Sequence, residues 1–73
     1  MEINKKVLLL AIYKEDKMSF KEVILMLENT KVFTIKEGKK LLKELKRDNF
    51  LSENGLTLKG EMMAKEIEKE FKI

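Results

Sequence analysis

The stretch LLKELKRDNFLSENGLTLKG, residues 41–60, decides how the chain folds. Leu41, Leu42 and Leu45 have the spacing that lines one face of a helix. Asn49 follows, a residue that tolerates the left-handed backbone on which helices stop. Phe50-Leu51-Ser52-Glu53 and Leu56-Thr57-Leu58 then flank Asn54-Gly55. Asn-Gly between two short apolar runs predicts a tight β-hairpin over residues 50–58, closed by Asn54-Gly55. Thr57 stands where a side chain caps a following helix.

The neighbouring segments extend this pattern in both directions. Thr34-Ile35-Lys36-Glu37 has capping-box spacing and opens a helix expected to reach Asp48. Ser19-Phe20-Lys21-Glu22 repeats that spacing and opens a helix to Glu28, with Asn29-Thr30 as its stop. A first helix is expected from Lys5 to Tyr13, with Asn4 as its N-cap, followed by a charged turn, Lys14 to Lys17. A last helix runs from Lys59 to Phe71. The expected fold is one mainly α domain, residues 1–73, in the order helix, helix, helix, hairpin, helix.

Helical periodicity then assigns the faces. The second helix turns Phe20, Val23, Ile24 and Leu27 inward. The third turns in Ile35, Gly38, Leu41, Leu42 and Leu45. The last turns in Gly60, Met63, Ala64, Ile67 and Phe71, and Gly60 on that face implies close backbone approach. The first helix is apolar on two sides, Ile3, Val7, Leu10 and Ala11 on one and Leu8, Leu9 and Ile12 on the other. One side serves the domain's own core. The other is expected to form a two-fold homodimer interface through Leu8, Leu9 and Ile12.

The chain has no cysteine and no histidine. Disulfides and thiolate metal sites are therefore excluded, as are the commonest metal ligand and general base. No nucleophile stands with a base, no glycine-rich loop is built for phosphate, and no metal cluster is spaced for binding. The expectation is a protein that is not an enzyme and takes no cofactor or metal. The apolar run Val7 to Tyr13 is too short to span a membrane. No small-residue cleavage site follows it, so a cytoplasmic location is expected.

Charge is where function enters. Residues 34–49 hold six basic groups, Lys36, Lys39, Lys40, Lys43, Lys46 and Arg47, against three acidic ones, Glu37, Glu44 and Asp48. That surplus equals the +3 of the whole chain, so the rest of the sequence is balanced. Lys36, Lys40, Lys43 and Arg47 form one stripe opposite the apolar face of the third helix, with Lys39 and Lys46 beside it. A local basic patch of this kind suits a polyanion. The bland alternative is an ordinary solvated face. Glu61, Glu66, Glu68 and Glu70 alternate with lysines on the last helix and look like such a face, with Glu61–Lys65 and Glu68–Lys72 in the favourable i,i+4 order.

From Val7 to Lys65, about four-fifths of the chain, the sequence resembles the winged helix-turn-helix superfamily, in particular small prokaryotic or phage-type DNA-binding domains. The residues that carry the resemblance are Ser19-Phe20-Lys21-Glu22-Val23, Thr34-Ile35, and Leu42 through Leu51. Leu56-Thr57-Leu58-Lys59-Gly60 is similar to the family's entry into its final helix. The resemblance implies a three-helix domain with a two-stranded wing and a C-terminal helix. It makes the third helix the recognition helix and Asn54-Gly55 the wing tip. The implied partner is double-stranded DNA, contacted through Thr34, Lys36, Lys39, Lys40, Lys43 and Arg47. The implied role is a transcriptional regulator or a mobile-element accessory protein.

Two features depart from that pattern. Asn29 to Phe33 is longer than the usual turn between the two helices. The wing tip offers Glu53 and Asn54 rather than lysine or arginine. The alternative from another class is a winged-helix protein-interaction module that binds no nucleic acid. It would use the first two helices, with Leu25 and Met26 as exposed contacts.

Overall fold

The computed structural model describes residues 1–72 of the chain. Four helices, α1 Ile3–Lys14, α2 Phe20–Asn29, α3 Ile35–Arg47 and α4 Leu58–Phe71, are joined by a small antiparallel hairpin, β1 Leu51–Ser52 and β2 Gly55–Leu56, inserted between α3 and α4. The molecule is mainly helical with one two-stranded sheet. No helix among the described residues is long and apolar enough to cross a membrane.

The caps follow the sequence closely. At α2, Ser19 accepts from the Glu22 amide at 3.2 Å while Glu22 accepts from the Ser19 amide at 3.0 Å, a complete capping box. Thr34 accepts from the Glu37 amide at 3.2 Å, and this box lacks its reciprocal bond. Thr57 does more than cap α4. Its hydroxyl accepts from the Gly60 amide at 3.0 Å and donates to the Asn49 carbonyl at 2.6 Å, joining the end of α3 to the start of α4.

Helix α1 begins earlier than expected. Glu2 is its N-cap without a side-chain bond, and Asn4 lies inside the first turn. The ends of α2 and α3 share one geometry. Lys31 and Asn49 both adopt left-handed backbone, with φ of 63° and 67°. In each case the next amide bonds back to the helix, Val32 to the Leu27 carbonyl at 2.9 Å and Phe50 to the Leu45 carbonyl at 3.0 Å. These are Schellman endings, which satisfy carbonyls that the helix leaves open.

The hairpin sits one residue away from its expected register. Ser52 pairs with Gly55 and Leu51 with Leu56, so Glu53-Asn54 and not Asn54-Gly55 occupies the two-residue turn. A type I′ turn would need positive φ at both central residues. Here Gly55, the first residue after the turn, carries it, at 145°. Ser52 stabilises this arrangement: its hydroxyl oxygen accepts from the Asn54 amide at 3.3 Å and donates to the Gly55 carbonyl at 3.2 Å.

The core is built from Leu8, Leu9, Ile12, Val23, Ile24, Leu27, Phe33, Leu41, Leu45, Phe50, Leu51, Ala64 and Ile67. The inner faces of α2 and α3 are those read from periodicity, with Phe20, Ile35 and Leu42 half-buried at their edges. Gly60 is needed as a glycine: a Cβ there would meet the Phe50 carbonyl oxygen at 1.9 Å. Phe71 departs from expectation, since it is exposed at the end of α4.

The expected dimer interface needs correction. Leu8 and Leu9 are fully buried and Ile12 is nearly so, all within a single chain. Helix α1 lies in contact with α2, α3, α4 and β2, so α4 covers the side left for a second molecule. Lys6–Glu70 at 2.9 Å and Lys14–Glu68 tie the two helices along their edges. Glu68 thus pairs across to α1 rather than with Lys72 along its own helix. The partly exposed side of α1 is the one carrying Ile3, Val7, Leu10 and Ala11.

Candidate nucleic-acid interface

Helix α3 owes its orientation to its two faces. Gly38, Leu41 and Leu45 are buried against α1 and α2. The opposite side must therefore face water. Lys36, Lys39, Lys40, Lys43, Lys46 and Arg47 are all exposed. From Lys36 to Arg47 the stripe covers eleven steps of 1.5 Å, about 16 Å. That is about five nucleotide steps along a DNA strand.

What the acidic residues of α3 do decides the field of this face. Glu44 is drawn to Lys5 on α1, with Nζ and Oε1 at 2.8 Å. The Lys5 hydrogen bond chiefly holds the Glu44 carboxyl below its ordinary range, with the charges of Lys5, Lys40 and Arg47 adding to it. Asp48 is shared between Lys5 at 3.9 Å and the Arg47 Nε at 3.7 Å. Among the described residues, Lys36, Lys39, Lys40 and Lys43 form no ion pair. Lys5 thus offsets Glu44 and, at longer range, Asp48 from the side, whereas Glu37 stands exposed in the first turn of α3.

The six residues expected to contact DNA are not equivalent. Lys36, Lys39, Lys40, Lys43 and Arg47 share the exposed side of one helix. Thr34 is exposed at the N-terminus of α3, and its oxygen is engaged in capping. Lys46 lies toward α2, with Nζ 5.7 Å from the centre of the Phe20 ring. Sequence reasoning missed two further lysines that shape the face. Lys5 is distant in the chain, and no local pattern links it to Glu44. Lys59 donates to the Asp48 carbonyl at 2.9 Å and lies 4.7 Å from the centre of the Phe50 ring. It supplies a cation at the C-terminal end of α3, where the helix dipole favours one.

The hairpin tip is acidic and exposed. Glu53 and Asn54 border a depression of about 860 Å³ together with Asp16 and Glu61. Three carboxylates therefore ring the space between the α1–α2 turn, the hairpin and the first turn of α4. Of the exposed apolar residues expected on α2, Leu25 is exposed and Met26 packs partly against the core. Tyr13 packs at the core's edge. No family model, no curated protein and no solved structure matches the chain.

Proposed function

We propose that this chain is a small winged helix-turn-helix protein that binds double-stranded DNA through α3, acting as a transcriptional regulator or a mobile-element accessory protein. One observation carries the reading. The exposed side of α3 bears four lysines with no acidic partner among the described residues, while Glu44 and Asp48 are drawn toward Lys5 on α1 and Glu37 stands exposed in the first turn. An α-helix fits the major groove, and lysines there neutralise phosphates. The order of α2, a five-residue connection, α3 and a two-stranded hairpin supports the fold assignment.

The cations supply affinity more than sequence discrimination. Arg47 is the one arginine in the chain, and α3 offers no glutamine. Base reading favours arginine on guanine and asparagine or glutamine on adenine. Lysines at phosphates fix register and orientation. This proposal therefore expects strong salt dependence and modest specificity.

The test is binding of a mixed-sequence duplex across a range of salt. Lys40→Ala and Lys43→Ala should each lower the slope of log affinity against log salt by about 0.9. Lys65→Ala and Lys69→Ala, whose side chains pair with Glu61 and Glu66 on α4, are the controls. Equal effects from the two sets would reject the proposal.

A further inference from the structure

A second surface runs between α2 and α3, and it is not a plain charged face. It is a groove of about 480 Å³. Its floor and walls are apolar: Phe20, Ile24 and Leu25 on α2, with Ile35 and Leu42 on α3. Leu25 is 39% exposed, and Phe20, Ile35 and Leu42 are half-buried. These side chains are left partly wet. The rim is formed by Lys21, Lys39 and Lys46, and no acidic residue lines the groove. Glu28, in the last turn of α2, accepts from the Ile35 amide at 3.2 Å.

We infer that this groove docks an acidic amphipathic helix of a partner protein. Charge complementarity selects the occupant. An apolar helix alone would leave three lysine charges flanking its backbone without partners. A purely acidic strand would leave the apolar floor wet. A helix with an apolar stripe and carboxylates on both flanks satisfies both surfaces, in the mode of a helix laid into a groove.

The spacing fits that occupant. Ile35 and Leu42 are seven residues apart on α3, as are Lys39 and Lys46. Seven residues make two helical turns, about 10.5 Å. A partner helix lying along α3 would therefore present apolar anchors and acidic groups at two-turn intervals. Lys21 on α2 faces its other flank. The inference does not depend on DNA binding, because Lys39 is the one DNA-facing lysine it shares and the apolar floor is separate from the outer stripe.

The experiment uses the whole chain, isotope-labelled at its methyl groups. The probes are 18-residue helical peptides on an alanine–glutamate background, carrying leucine, isoleucine, phenylalanine or methionine pairs seven residues apart. Matched controls have the same composition scrambled, or lysine in place of glutamate. Expected are saturable shifts of the Leu25, Ile35 and Leu42 methyls, with affinity at least about tenfold weaker for Leu25→Glu. Met62→Glu, at an exposed site on α4, should leave affinity unchanged. Circular dichroism of both variants verifies folding. Equal binding of scrambled peptides, shifts that map elsewhere, or no binding would overturn the inference. So would shifts at these three methyls caused by duplex DNA but by none of the peptides.

Discussion

At the level of single residues, the two left-handed positions differ in how well their side chains suit them. Asn49 is among the residues that adopt positive φ readily. Lys31 is not, and it holds φ of 63° because the Schellman bonds at the end of α2 require it. Its side chain is exposed, so little is lost by removing it. Lys31→Gly is expected to stabilise the fold by about 0.5–1 kcal/mol, through relief of the left-handed penalty. Thermal unfolding should show a rise of several degrees; a fall would mean that the Lys31 side chain makes a contact that matters. Asn49 was legible in the sequence because asparagine advertises this conformation. Lys31 was not, because its conformation is imposed by backbone bonds that any residue could make.

The same contrast governs the secondary-structure elements. Helices α2, α3 and α4 were legible because each opens on a hydroxyl residue that caps it and shows one apolar face. The hairpin was legible in place but not in register, since Glu53-Asn54-Gly55 accommodates the turn in two ways and Ser52 selects one of them. Helix α1 defeated the reading of faces. Its apolar residues point all round, so periodicity could not say which side meets the core or that α4 closes the other. The consequence is testable at Leu8. Leu8→Ala should destabilise the protein by about 2–5 kcal/mol by opening a cavity. Denaturant unfolding would report this directly, and sedimentation should show no change of assembly in the folded fraction. Dissociation of an oligomer without loss of stability would restore the interface reading.

Ion pairs between elements add a pH dependence. The carboxyls of Glu44 and Glu68 are held below their ordinary value of 4.5, chiefly by hydrogen bonds from Lys5 and Lys14. Glu22 is lowered likewise by the Ser19 amide and hydroxyl of its capping box. Each carboxylate is favoured in the folded state, so its contribution is fully present above the unfolded value. It is lost as the pH falls through the lower folded value. Lys14 is shifted up from 10.5 by its bond to Glu68, so its share persists at neutral pH and is lost above that value. Tm should therefore be flat near neutrality and begin to fall below about pH 4.5. Glu68→Gln should flatten that acid limb; an unchanged limb would show that the α1–α4 pair contributes nothing.

For the whole molecule, the distribution of charge matters more than its sum. Residues 34–49 carry the entire surplus of +3, and Glu44 of α3 is turned toward Lys5. The hairpin tip and its surroundings present Glu53, Asp16 and Glu61. A duplex seated on α3 with the hairpin beside its backbone would meet a repulsive charge at Glu53. Glu53→Lys should then tighten duplex binding and raise the salt slope by about 0.9, one added phosphate contact. The substitution changes the net charge by two, so any added attraction must be separated from a general one. Glu66→Lys makes the same change on the exposed side of α4, where Glu66 pairs with Lys69. Glu53 is exposed and forms no ion pair among the described residues, so its replacement should shift stability by less than about 0.5 kcal/mol. If Glu53→Lys tightens binding and Glu66→Lys does not, the hairpin lies against the duplex. If both tighten it equally, the field of the whole molecule acts and the hairpin stands clear. If neither does while Lys40→Ala weakens it, α3 alone carries the contact.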